Sequence, residues 1–230
     1  GDGADELMGG YLYFHKSPDP LEFDKECRRL LKDIYMFDVL RSDKSISSCG
    51  LEPRTPFLDR GFVQYYLSIS PLFRCHNIHN VCEKYILRKA YHDTNALPNE
   101  VLWRTKEAFS DGVSKQTRSW FQIIQEYVDN IIVTSDDNVN TKEYVYHNNI
   151  PIYRSYDNFT YNKPTTKEQL FYRSIFNYYY PNCDAILPYF WMPKYVNAVD
   201  SSARTLNIYP NKQIKKITKK DESNKLQLST

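Results

Sequence analysis

The chain has 230 residues, 41% hydrophobic and 15% aromatic, enough for one sizeable core or one large lobe of a bigger enzyme. Its 30 basic and 28 acidic side chains leave a net charge of +2, which argues against a general nucleic-acid or anionic-membrane binder. No apolar run approaches the roughly 18 residues of a spanning helix, no secretory leader pattern opens the chain, and Cys27, Cys49, Cys75, Cys82 and Cys183 form no C-x-x-C pair, as expected of reduced thiols in a cytoplasmic protein.

The chain opens on Gly1-Asp2-Gly3-Ala4-Asp5-Glu6, without an initiator methionine and inside a glycine-bearing loop where a strand should just have ended. A missing N-terminal part is therefore expected. Three carboxylates fall within five positions, separated by small residues. Clustered carboxylates repel one another unless a cation offsets them. Hard oxygen donors suit Mg²⁺, which is usually held by one or two carboxylates plus substrate phosphates. A solvated acidic turn is the competing reading of these residues alone.

Next, Asp19-Pro20-Leu21-Glu22 has the pattern of a capped helix start. Cys27, Leu30, Leu31, Ile34 and Tyr35 then recur at helical spacing, predicting one helix from about Pro20 to about Arg41 that buries this stripe. Residues 42–50 read as a polar turn. Leu51 to Asp59 contains Pro53 and Pro56, which favour a rigid extended loop carrying Glu52, Arg54 and Asp59. Short helices are expected over Phe62–Ser70, from an Asn80 cap to about Tyr91, and from Pro98 to about Trp103.

Arg104 to Gly112 is a charged loop between helices, where Lys and Arg can meet phosphates. Trp120 to Ile132 carries a broad apolar helical face. Residues 134–163 read as loop, with almost no strand candidates in the chain. Thr165-Thr166-Lys167-Glu168 is a capping box for a helix that Pro181 ends near Tyr180. Pro188 to Tyr195 is irregular and aromatic, and the Lys-rich stretch 210–230 reads as a disordered tail. Cys75, His76, His79 and Cys82 offer four zinc-type donors in eight residues. One contiguous segment rarely arranges four tetrahedrally, so a loop leading into a helix is expected there.

Four blocks together resemble the synthetase domain of glutamine-hydrolysing asparagine synthetases of the eukaryotic type. GDGADELMGGYLYFHK (1–16) resembles that family's SGEGSDEL...GYxYFHKAP segment, and Leu51 to Asp59 its GLExRVPFLD segment. WRTKEAFSDG (103–112) is similar to WRxKEAFSDG, and FWMPKYVNAVDSSARTL (190–206) to YWMPKWxNATDPSARTL. They occur in family order across residues 1 to about 209.

The resemblance implies the mainly helical C-terminal part of an α/β synthetase domain of the ATP-pyrophosphatase (adenine nucleotide alpha hydrolase-like) type. The parallel sheet would lie largely in the missing N-terminal part, and residues 1–209 would form the domain portion ahead of the tail. It implies a cytoplasmic ligase, homodimeric in the parent, that uses ATP and Mg²⁺ to adenylate the β-carboxylate of aspartate. Ammonia from glutamine then converts β-aspartyl-AMP to asparagine. No membrane or nucleic-acid partner is implied.

By the same resemblance, Gly1 contacts the nucleotide and Asp5 the Mg²⁺-pyrophosphate. Lys106 stabilises the adenylation transition state, Asp2 stands for the glutamate tied to intermediate formation, and Glu52 and Arg54 lie near the aspartyl site. Asp2 is one methylene shorter than that glutamate, Ala4 replaces serine, and Pro53 and Thr55 replace apolar residues. The SGGxDS pyrophosphate loop and the glutaminase cysteine are not among these residues, so the 230 residues alone are expected to be inactive. The rivals are a related adenylating amidotransferase with another carboxylate substrate, as in the β-lactam synthetases, and a degenerate relative that acts by protein interaction.

Overall fold

The computed structural model describes residues 1–113, 118–133, 143–186, 188–198 and 201, so the expected tail at 210–230 lies outside the described residues. Among the described residues the architecture is helical with one two-stranded sheet. No helix among them is long and apolar enough to cross a membrane.

Helix α1 (Ala4–Met8) rises from the opening loop and packs on α2 (Pro20–Asp33). The α2 start follows its sequence signal. Asp19 accepts from the Glu22 N–H at 2.8 Å, and Pro20 fills the first turn. Phe23, Cys27 and Leu30 form its buried stripe.

The predicted run to Arg41 is broken. A 3-10 turn covers Ile34–Met36, Phe37 leaves helical geometry at φ −119°, ψ −100°, and α3 occupies Asp38–Ser47. The cause is tertiary. Tyr189 donates its hydroxyl to Asp33, and its ring sits 5.2 Å from that of Phe37, so the far end of the chain holds the break. Tyr35, expected in the stripe, is consequently 65% exposed, and the stretch expected to be a turn from residue 42 is helical as far as Ser47.

Helices α4 (Arg60–Ser68) and α5 (Pro71–Arg74) follow, capped by Asp59 and Ser70. Asn80 does not open a helix. It ends the 3-10 turn His76–His79 at φ 53°, and α6 (Tyr85–His92) begins only after Lys84. Asparagine tolerates the left-handed region, which suits a helix end better than a start. Then come α7 (Asn99–Leu102), α8 (Phe109–Gly112) and α9 (Trp120–Val133).

Within the stretch expected to be loop, β1 (Tyr144–His147) pairs antiparallel with β2 (Ile150–Tyr153), His147 opposite Ile150. The turn is Asn148-Asn149, both at positive φ (47° and 64°), as a two-residue hairpin turn requires. Helix α10 (Lys167–Tyr179) packs on β2 and is capped by Thr166, which accepts from Gln169 N–H. The capping pair is therefore one residue later than the sequence pattern suggests.

Three apolar clusters result. Tyr13, Phe14, Phe23, Cys27, Leu30 and Cys75 form the first, with Trp191 and Tyr195 of the C-terminal aromatic segment packed against it. Ala4, Leu7, Met8 and Tyr66 form the second, directly behind the opening loop. Val128, Val145, Ile152 and Phe171 unite α9, the hairpin and α10.

Candidate active site

The opening loop turns into α1 at Gly3, whose φ of +86° favours glycine. A Cβ there would sit 2.3 Å from Leu58, so the Pro-containing loop 51–59 closes directly over the turn. This approach brings two of the sequence blocks together.

Asp5 lies on α1, half-buried. Lys106 Nζ donates to its Oδ2 at 3.0 Å across 101 residues of chain. Lys84 Nζ pairs with Oδ1 at 2.7 Å. Burial opposes charge on Asp5, but Lys84 and Lys106 outweigh it and hold the carboxyl below its ordinary range. Gly10 makes room for the group. A Cβ there would stand 2.0 Å from Asp5 Oδ1 and 2.5 Å from Lys84 Cε.

The other expected residues make separate contacts. Asp2 is half-buried and accepts from Ser42 Oγ of α3 at 2.7 Å. Gly1 is exposed at the loop's edge, with open space where a side chain would be. Glu52 and Arg54 pair with each other at 3.2 Å while 72% and 81% exposed. Lys84 had no local signal in the sequence. Its side chain reaches Asp5 because its backbone adopts φ 59° just before α6, a conformation no motif announces.

Two buried titratable groups stand behind the loop. His76 Nε2 lies 3.0 Å from Gly9 O, so that nitrogen carries the proton and donates it. Burial, then His15, lowers the imidazole to about 4. Tyr11 Oη lies 2.5 Å from Glu6 Oε1 and 2.8 Å from Asp38 Oδ2. One hydroxyl proton cannot serve both carboxylates at once. Burial pushes Glu6 up to about 7, with Asp38 adding to it against the Tyr11 hydrogen bond.

These two groups act oppositely on stability. His76, depressed from 6.5, contributes stability that is present above pH 6.5 and lost as pH falls towards 4. Glu6, raised from 4.5, contributes stability that is present below pH 4.5 and lost as pH rises through 7. Each changes stability by at most about 1.4 kcal/mol per pH unit, so their slopes offset between pH 4.5 and 6.5. Glu6→Gln removes one slope. Urea unfolding of that variant in the full-length protein should gain about 2 kcal/mol of stability from pH 4.5 to 6.5, against a flatter parent curve. A flat curve in the variant would remove His76 from this account.

The possible zinc donors disperse. Cys75 Sγ donates to Asn77 at 2.7 Å, His76 is committed to Gly9, and His79 Nε2 sits 2.7 Å from Leu72 O. Among the described residues, no group of three or more His, Cys, Asp or Glu converges as a metal site. Any cation at Asp5 would therefore need oxygens from a ligand to complete its shell, and it would have to displace Lys84 or Lys106 from the carboxylate.

The fold and site together define a helical scaffold that holds one carboxylate between two ammonium groups on a glycine-turned loop. The chain belongs to the asparagine synthase family, whose profile matches residues 16–199. It is 46% identical over 209 residues to the glutamine-hydrolyzing asparagine synthetase of Gallus gallus, covering 91% of this chain and 34% of that protein. Identity is also 46% to the Mus musculus enzyme and 44% to the Homo sapiens enzyme, with the same coverage. The chain thus spans about a third of the length of these relatives.

Proposed function

We propose that this chain is the mainly helical part of a longer ATP-dependent synthetase that converts aspartate to asparagine with nitrogen from glutamine or ammonia. The parallel sheet of an α/β ATP-pyrophosphatase-type domain would lie outside it. The observation that carries the reading is the meeting of Asp5 with Lys84 and Lys106 from distant parts of the chain. Family membership and the four matched blocks support it.

In this reading the aspartate β-carboxylate displaces pyrophosphate from ATP, and negative charge builds on phosphate oxygens. Lys106 and Lys84 meet that charge in a half-buried site, where fixed cations act more strongly than in water. Asp5 orients both ammonium groups and, with oxygens of the ligand, would hold Mg²⁺, which would supply further positive charge to the phosphates. Gly1 lets the nucleotide approach the backbone. Asp2 faces the step that forms the acyl adenylate. The exposed Glu52–Arg54 pair is weak, so Arg54 can exchange it for a substrate carboxylate.

The test is aspartate-dependent release of pyrophosphate and AMP by the full-length protein with ATP and Mg²⁺, run against a panel of other carboxylates. Aspartate should win clearly. Preference for another acid would indicate a different adenylating amidotransferase, and no release with any acid would overturn catalysis.

A further inference from the structure

Helix α3 fastens both ends of the opening loop. Asp38 and Ser42 lie four residues apart and so share one helix face. Asp38 Oδ2 lies 2.8 Å from Tyr11 Oη at the loop's far end, while Ser42 Oγ donates to Asp2 Oδ2 at its near end, 2.7 Å away. The same hydroxyl lies 3.4 Å from Val39 O. A serine hydroxyl has one proton, and the shorter contact to a charged acceptor takes it. Helical serines commonly return this proton to their own backbone. Here it is turned outward, across 40 residues of chain, onto a candidate site residue.

We propose that Ser42 is a positioning residue that holds the short Asp2 carboxylate in its working place. The proposal rests on the adenylating reading above, in which Asp2 stands where the family motif has glutamate. Aspartate reaches about 1.5 Å less far than glutamate, and a donor from α3 fixes where the shorter group ends. Conversely, a longer side chain at position 2 presses its carboxylate into the Ser42 hydroxyl. Asp2 and Ser42 are thus matched in size as a pair, and their substitutions should be strongly coupled.

The experiment compares Ser42→Ala, Ser42→Thr, Asp2→Glu and the double variant Asp2→Glu/Ser42→Ala in the full-length protein. Alanine is the better helix former, so loss of activity in Ser42→Ala would not reflect a weakened α3. Ser42→Ala should lower kcat for pyrophosphate release ten- to a hundredfold, on the order of a lost charged hydrogen bond and a displaced group, with KM for ATP and aspartate nearly unchanged. Ser42→Thr, which keeps the hydroxyl, should retain most activity. Asp2→Glu should be impaired, and the double variant should recover most of that loss.

Wild-type kcat in Ser42→Ala, or single losses that simply multiply in the double variant, would overturn the proposal. If the parent protein adenylates nothing, the adenylating reading fails separately. A crystal structure of full-length Ser42→Ala then decides the positioning: an Asp2 carboxylate that leaves its place supports it, and one that stays ends it.

Discussion

Replacing Lys106 with alanine in the full-length protein should lower aspartate-dependent pyrophosphate release by about a hundred- to a thousandfold, the usual cost of removing one preorganised charge-stabilising donor. The size follows from the setting. Lys106 Nζ sits 3.0 Å from Asp5 Oδ2, with both side chains about three-quarters buried, so bulk water cannot take over its role. Stability should change much less, by about 1 kcal/mol or under, because Lys84 still offsets Asp5. If Lys106 acts on charge that develops only in the transition state, kcat and kcat/KM should fall together with little change in KM. Lys106→Arg keeps the charge but broadens the head group, and should restore only part of the rate. Full activity in Lys106→Ala would reduce Lys106 to a structural counterion of Asp5.

Much of this site was legible in the sequence because its pieces are local. Three carboxylates among small residues, a Pro-bounded loop with Glu52 and Arg54, and the charged loop around Lys106 can each be read in a single pass. Their meeting cannot. Spacing says nothing of Leu58 closing over Gly3, or of Gly10 leaving room for the ion pair. Lys84 and Ser42 belong to no motif and reach the loop only through tertiary packing.

The same division runs through the fold. The cap at Asp19 depends on a side chain meeting a backbone N–H three residues away, and that signal survives in the sequence. Asp59, by contrast, reads there only as a loop residue, and the Thr166 cap falls one residue past its pattern. The break after Asp33 depends on Tyr189, more than 150 residues away, and no window of local periodicity contains it. The hairpin is a different kind of miss. Tyr144-Val145-Tyr146 alternates, and Asn148-Asn149 is a two-residue turn able to adopt positive φ, but asparagine there also reads as loop composition.

Removing Arg74 should cost the fold more than any other single change considered, about 3–5 kcal/mol for Arg74→Met. Its side chain is fully buried on α5, donating from Nε to Ile69 O at 2.7 Å and from Nη2 to Asp24 of α2. The guanidinium also lies 5.8 Å from the centre of the Tyr66 ring. Methionine replaces the aliphatic stem but leaves Asp24 paired only by Arg28 on the solvent side. Burial opposes charge on Asp24, and the hydrogen bonds from Arg74 and Arg28 overcome it and hold its carboxyl low. A depressed carboxylate contributes stability that is present above its ordinary range and lost as pH falls through it. Arg74→Met should therefore flatten the acid limb of the stability curve as well as lower the neutral plateau. Adding Asp24→Asn should recover much of the loss, since the uncompensated charge is gone. Urea unfolding of the parent and the two variants between pH 3 and 7 reads all of this, and a loss under about 1 kcal/mol would mean that the stem's packing matters and the ion pair does not. The consequence for the site is indirect. Arg74 anchors the segment that carries His76 to Gly9 O, so when α5 loosens from α2, the back support of the Asp5 loop loosens with it.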